Sequence, residues 1–266
     1  MSSIPLYNRE DFAAMHRAGR LAAEVLDAMV GFVREGITTG DINDRCHAMI
    51  LEHGAIPAPL NYKGFPKSVC TSVNHVVCHG IPGERVLESG DIVNIDVTVI
   101  LDGWYGDTSR MYWVGEPSIQ AKRVSQVAYE SMMKGIEQVR PGATVGDIGH
   151  AIEKHTIAHH YSVVRDYCGH GIGRIFHGPP NILNFGTPGK GLVLKPGMFF
   201  TVEPMVNVGR PDTKLDARDG WTVTTRDRSL SAQFEHTIGV TETGFEIFTL
   251  SPRGLHCPPY AQETVL

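Results

Sequence analysis

The stretch Val33-Arg34-Glu35-Gly36-Ile37-Thr38-Thr39-Gly40-Asp41-Ile42 returns as Val139-Arg140-Pro141-Gly142-Ala143-Thr144-Val145-Gly146-Asp147-Ile148, a shift of 106 residues. Residues 87–96 (LESGDIVNID) return in looser form as residues 194–203 (LKPGMFFTVE), a shift of 107 residues. One such match arises easily by chance; two at nearly the same spacing point to a duplicated unit of helix, loop and strand. Each copy ends on a carboxylate, Asp96 in the first and Glu203 in the second. A two-fold-like arrangement of the copies would bring these acids to one central site.

The segments around the repeat fit such a unit. Asn8 with Asp11 three residues later has the form of a helix start, and Phe12, Met15, Ala18, Ala22, Leu26, Met29 and Val33 follow at helical spacing. Thr39 is placed to cap a second helix through Cys46 and Ile50. Ser118 is placed to start a third, with Val124, Val127, Met132, Ile136 and Val139 on its apolar side, and Thr144 a fourth through Ile148 and Ile152. Helix pairs thus precede strands in both halves, which predicts an α+β fold with an antiparallel sheet and helices on one face. No linker interrupts residues 1–250, so a single catalytic domain is expected, with repeat halves at about 8–115 and 116–250. The Pro-rich tail, residues 251–266, reads as peripheral.

Residues 92–101 alternate, with Val93, Ile95, Val97, Val99 and Leu101 on one face and Asn94, Asp96 and Thr98 on the other. Asp102-Gly103 is a strong two-residue hairpin signal, so Leu101 should face Trp104, Thr98 should face Asp107 and Asp96 should face Ser109. Asp96 and Asp107 then share a face as diagonal neighbours, with Cβ atoms roughly 7 Å apart, close enough to share a metal. Solvated surface acids are the plainer reading of such a pair, but the apolar neighbours argue for a buried sheet, where unpaired like charges would be costly. In the second half Glu203 ends the repeated strand, and Glu235 alternates with Phe234 and His236. His170 sits among glycines in Cys168-Gly169-His170-Gly171-Ile172-Gly173, where the backbone can approach a site closely. Alone, His170 or His177 would pass for an ordinary loop histidine.

Composition narrows the function classes. A formal charge of −5 and pI near 6.2 give no basic surface for nucleic acid or anionic membrane, and no run of about 18 apolar residues occurs. The five cysteines are scattered, which fits reduced thiols in a cytosol. A cytoplasmic protein without nucleic-acid or membrane partners is expected.

Taken together, KSVCTSVNHVVCHGIP (67–82), GDIVNIDVTVILDGWYGDTSRMY (90–112), YCGHGIGRIFH (167–177), LKPGMFFTVEPMVN (194–207) and DGWTVTTRDRSLSAQFEHT (219–237) resemble the type I methionine aminopeptidases of bacteria, over roughly residues 8–250. The resemblance implies the pita-bread fold. It implies two divalent ions (Co, Mn, Fe or Zn) on Asp96, Asp107, His170, Glu203 and Glu235, with Asp107 and Glu235 bridging. Asp96 would complete one site, and His170 with Glu203 the other. His79 and His177 fall on non-ligand active-site histidines, and Tyr62, Phe65, Cys70, Phe176 and Trp221 on a methionine pocket. A monovalent cation is implied near Asn74, Val76 and Ser231. His75, Lys63 and Pro59 depart from the family's usual Glu, His and Cys.

The implied reaction is removal of the initiator methionine from nascent proteins with a small, uncharged second residue. Metal-activated water would hydrolyse the bond, with Glu203 moving the proton and His79 and His177 donating hydrogen bonds. The substrates would be N-termini of nascent chains near the ribosome, and the enzyme a monomer. Prolidase-like relatives of the same fold carry a large extra N-terminal domain, for which the roughly 95 residues before Asp96 leave little room. A metal-free binding protein on the same fold would have broken ligands, whereas all five are present.

Overall fold

The computed structural model describes residues 4–260. Four α-helices, α1 (Arg9–Asp27), α2 (Thr39–Glu52), α3 (Ile119–Ile136) and α4 (Val145–Ala158), pack against antiparallel strands. Helix α1 begins where expected: the Asn8 side chain accepts from the Glu10 and Asp11 amides, and Asp11 accepts from the Asn8 amide at 2.9 Å. It ends at Asp27, six residues before Val33. Gly31 (φ +82°) leaves the helical region, and Met29 and Val33 reach the core from tight turns instead.

The cap of α2 is Thr38, not Thr39. A capping box needs the hydroxyl three residues before the acid, and Thr38 stands at that distance from Asp41 in an extended conformation. The Thr39 hydroxyl bonds the Gly83 backbone instead. Thr144 and Asp147 repeat the arrangement at the start of α4.

The duplication is visible in the hydrogen bonds themselves. Gly36 N–H donates to Leu87 C=O and Leu87 N–H to Ile37 C=O; Gly142 donates to Leu194 and Leu194 to Ala143 in the same way. Thr38 bridges Val86, and Thr144 bridges Val193. In the first half, Val93, Ile95, Val97 and Val99 lie fully buried with Leu21, Val25 and Leu26 of α1 and Ile42, Cys46 and Ile50 of α2. In the second, Phe200, Val202, Val206 and Ile238 lie with Val124, Ala128 and Met132 of α3 and Ile148 and Ile152 of α4. Each such side chain contributes roughly 1.5–3 kcal/mol relative to exposure. The helices thus take one face of each strand set and leave the other for polar groups.

The hairpin Ile92–Leu101 and Trp104–Trp113 has the expected register, including Leu101 opposite Trp104, Thr98 opposite Asp107 and Asp96 opposite Ser109. Asp102 and Gly103 both have positive φ (52° and 76°), as a primed two-residue turn requires. Helix α1 lies directly on this hairpin at Gly106, where a Cβ would stand 2.4 Å from the Ala18 backbone.

Residues 251–260 are not peripheral. Ser251 donates to buried Asp27 at 2.9 Å, and Tyr260 donates to Met111 C=O at 2.8 Å while its ring meets Tyr112. Residues 261–266, the rest of the tail, lie outside the described residues.

Candidate metal centre

The two halves meet along a reciprocal seam. Thr108 donates its hydroxyl to Glu235 C=O, and Thr237 donates its hydroxyl to Asp107 C=O, each at 2.7 Å. The Glu235 amide donates to Ser109 C=O at 3.1 Å, and Asn94 Nδ2 donates to Gln233 C=O at 2.8 Å. This pairing crosses more than 120 residues of sequence and sets Asp107 beside Glu235.

His170 comes to the same place on the short strand Gly169–Gly171, between Phe199–Val202 and Gly178–Ile182. Its flanking glycines let neighbouring strands close in: a Cβ at Gly169 would stand 2.3 Å from Thr201 O, and one at Gly171 would stand 2.0 Å from Pro179 O. His170 Nδ1 lies 3.2 Å from Gly171 C=O. As the donor there it leaves the Nε2 lone pair free, 3.6 Å from Asp107 Oδ2 and 3.6 Å from Glu203 Oε1. One ligand atom each from Asp107, His170 and Glu235 lies within 4.8 Å of the others. Thr98 donates to Asp107 Oδ1 at 2.6 Å, Thr201 to Glu203 Oε1 at 2.7 Å, and Gln233 Nε2 approaches Glu203 Oε2 at 3.3 Å. Asp96 lines the same cavity from the hairpin.

The electrostatics ask for a cation. Among the described residues no Lys or Arg pairs with Asp96, Asp107, Glu203 or Glu235. Burial pushes the Asp96 and Glu203 carboxyls far above the usual carboxylate range, and for Glu203 the Asp96 charge adds to it. Burial, followed by the neighbouring carboxylates, does the same to Asp107 and Glu235. Burial lowers the His170 imidazole to about 4, so it is neutral and available as a ligand near pH 7. Four carboxylates and one neutral imidazole around one point suit hard-to-borderline divalent metal, whose charge would offset theirs.

Every residue named from the sequence as divalent-metal ligand, catalytic group or pocket wall lines one cavity of about 250 Å³. Tyr62, Phe65, Cys70, Phe176 and Trp221 form much of its apolar wall; Phe65 packs edge-on against Trp221 and Tyr62 against Phe176. The His177 ring lies 4.2 Å from His170, and its Nδ1 lies 3.0 Å from the Tyr62 hydroxyl. Burial, and then the positive potentials of His170, Lys63 and His79, lower His177 to about 3. His79 sits at φ +56°, an unfavourable conformation for a non-glycine residue that is characteristic of functional sites. Lys63 and Pro59 line the cavity, and His75 does not. Cys78, Tyr167, Cys168, Met205, Thr98 and Gln233 also line it and were not singled out from the sequence. Strand alternation does put Thr98 on the face of Asp96 and Gln233 on the face of Glu235, without marking either as a site residue; nothing comparable marks Tyr167 or Met205.

The proposed cation residues lie apart. The Ser231 amide donates to Asn74 C=O at 2.9 Å, and Val76 pairs with Thr224. The buried Ser231 hydroxyl has no partner among the described residues, which leaves an oxygen free for a cation.

Residues 13–242 match the sequence model of metallopeptidase family M24. The chain belongs to that family. The methionine aminopeptidase of Rickettsia prowazekii is 66% identical over 258 residues, 97% of this chain and 100% of the relative. The crystal structure of a methionine aminopeptidase from Rickettsia prowazekii superposes with a TM-score of 0.93 at 66% identity, covering 93% of this chain and 100% of that one. A prolidase from Pyrococcus horikoshii, at 19% identity and TM-score 0.72, shares the M24 fold alone; the match covers 92% of this chain and 63% of the prolidase. The pita-bread architecture inferred from the sequence is thus the fold of this M24 chain.

Proposed function

We propose that this M24 enzyme is a metal-dependent aminopeptidase that removes the initiator methionine from proteins whose second residue is small. The observation that carries the reading is a cluster of four carboxylates and one imidazole, with no Lys or Arg paired to the acids among the described residues, lining a cavity walled by soft and aromatic side chains. Asp96, Asp107, His170, Glu203 and Glu235 would hold two ions of the Co, Mn, Fe or Zn type. Such ions lower the pKa of water from 15.7 to about 7 and so supply hydroxide at neutral pH.

This chain's own residues do the rest. Thr98 and Thr201 each occupy one carboxylate oxygen of Asp107 and Glu203, which orients both groups. Glu203, the carboxyl that Thr201 and Gln233 hold at the cavity wall, is placed to carry the proton to the leaving amine. If Tyr62 donates to His177 Nδ1, the Nε2–H of His177 is left as a donor to the scissile carbonyl. His79, whose ring meets Tyr167 and Trp221 at the same cavity, would donate a second hydrogen bond to the scissile amide. Tyr62, Phe65, Cys70, Phe176 and Trp221 accept an unbranched thioether, with a modest gain from sulfur–aromatic contact. Burial keeps the Cys70 thiol protonated, so it acts as wall and not as nucleophile. The buried hydroxyl of Ser231, beside Asn74 and Val76, suits a monovalent cation. Substrates would be nascent N-termini met near the ribosome in the cytoplasm; among the described residues no helix is long and apolar enough to cross a membrane.

Metal-reconstituted enzyme should cleave a Met-Ala peptide at least about a hundredfold more efficiently than Leu-Ala or Met-Phe, a gap of about 2.7 kcal/mol in transition-state binding. Equal kcat/KM for the three would mark a general aminopeptidase and end the initiator-methionine reading.

A further inference from the structure

A second group of ligand-bearing side chains stands on the outer side of the second half, where the mechanism does not reach. Helix α4 presents His155, its C-cap residue His159 follows four residues on, and α3 presents Glu130 towards them. One ligand atom from each of the three lies within 4.8 Å of the others. His155 Nε2 is 3.0 Å from Glu130 Oε2, and the two imidazole rings lie 4.5 Å apart. Around a tetrahedral ion with ligand distances of about 2.0–2.1 Å, neighbouring ligand atoms stand roughly 3.3 Å from one another.

Two further contacts prepare the group. His159 Nδ1 lies 3.0 Å from His155 C=O; donating there, it fixes the tautomer whose Nε2 lone pair is free. Gln126 Nε2 donates to Glu130 Oε1 at 2.9 Å, which leaves Oε2 for the histidine side. All three side chains are partly buried, so an ion held by them would keep one position for solvent.

We propose that Glu130, His155 and His159 form an additional divalent-metal site that clamps α3 to α4. Two imidazoles and one carboxylate favour Zn2+ and its imidazole-preferring neighbours, in contrast to the oxygen-rich set on the cavity floor. The clamp joins the two helices that back the strand leading to Glu203. This reading displaces a plainer one, a Glu130–His155 hydrogen bond between helices with the His159 ring tilted beside it.

Equilibrium dialysis of the full-length protein against Zn2+ tests the site, because the catalytic centre is common to all variants and cancels. The double variant His155→Ala/His159→Ala should bind one Zn2+ fewer than the unmodified chain. His159→Gln, which leaves the Glu130–His155 pair in place, should lose the same equivalent. Added Zn2+ should raise the Tm of the unmodified chain more than that of either variant, while peptide cleavage by both variants stays within about twofold. Equal zinc content in the unmodified chain and the double variant overturns the site. Loss in the double variant but not in His159→Gln overturns the three-ligand assignment.

Discussion

The first half of the chain carries its candidate ligands on long, regular strands, and the second half carries its own on short, irregular ones. Asp96 and Asp107 sit on ten-residue strands in unbroken register around a two-residue turn. His170 sits on a three-residue strand whose pairing shifts at His170/Gly171, and Glu203 and Glu235 lie just past or just before short strands. Both halves nevertheless deliver carboxylates to one point. What they share is the helix–loop–strand frame behind the ligands; what differs is how the last few residues reach the site. A rigid frame repeated twice can carry ligands that are not themselves repeated.

If the halves contribute jointly to one centre, removing a ligand from either should be equally severe. Asp107→Ala from the first half and Glu235→Ala from the second should each lower kcat/KM by about a thousandfold or more, roughly 4 kcal/mol, and reduce bound metal. Metal analysis beside peptide turnover checks both. A variant with normal metal and normal rate in either half would break the shared-centre reading.

The histidines of the two halves should differ from the ligands in kind. On the proposed mechanism His79→Ala and His177→Ala would remove hydrogen-bond donors to the transition state, so kcat should fall by about a hundredfold with metal content near normal. Metal loss in one of them would move that histidine into the ligand set and make the halves less alike than drawn here.

How much of this could be read beforehand follows from the same contrast. The Asp-Gly turn fixes the hairpin register by local chemistry, so Asp96 and Asp107 could be placed on one face from the sequence alone. The repeated VRxGxTxGDI pattern gives the frame but not the cap of α2, which falls on Thr38 and not on Thr39. By contrast, the Thr108–Glu235 and Thr237–Asp107 seam joins residues far apart in the chain and leaves no local periodicity. His170 owes its place to glycines that permit close strand packing, a role that glycine in a loop does not advertise. The Tyr260 and Ser251 anchors, likewise, are single polar contacts to buried partners, invisible to any pattern of apolar spacing.

Removal of metal should expose the cost of gathering carboxylates at the seam. Burial raises the folded-state pKa values of Asp96, Asp107, Glu203 and Glu235, so the metal-free folded protein binds more protons than the unfolded chain above the ordinary carboxylate range. Stability from these groups is therefore fully present at low pH and lost as pH rises through the raised values. Lowered histidines such as His170 and His177 act the other way, but only below the ordinary histidine pKa of about 6.5. Between pH 6.5 and 8 the histidine contribution fades, while the raised carboxylates, joined towards the upper end by the buried thiols of Cys70 and Cys78, all act in one direction: the Tm of chelator-treated protein should fall, and metal should flatten the slope. A rising Tm for the metal-free form over that window would contradict the burial of these acids.

The smallest effect tests the frame itself. Thr38 and Thr144 make matching boxes: in each, the Asp Oδ2 accepts from the Thr amide at 2.7 Å and from the Thr hydroxyl at 2.8 Å. The copies then diverge. Asp147 also accepts from the Gly189 amide at 2.8 Å through its other oxygen, and Thr144 is buried, whereas Thr38 is partly exposed. Loss of a cap hydroxyl costs about 1 kcal/mol in general and up to about 2 where the helix end is well packed. A box tied to a second loop and shielded from water has less solvent to replace the lost bond. Thr144→Ala should therefore cost about 2 kcal/mol and Thr38→Ala about 1, with Thr→Ser restoring most of each, measured by urea unfolding of metal-loaded protein. A larger loss at Thr38 would mean that the second copy has stopped depending on its cap, and that the two-fold frame survives in the hydrogen bonds without being shared in the energetics.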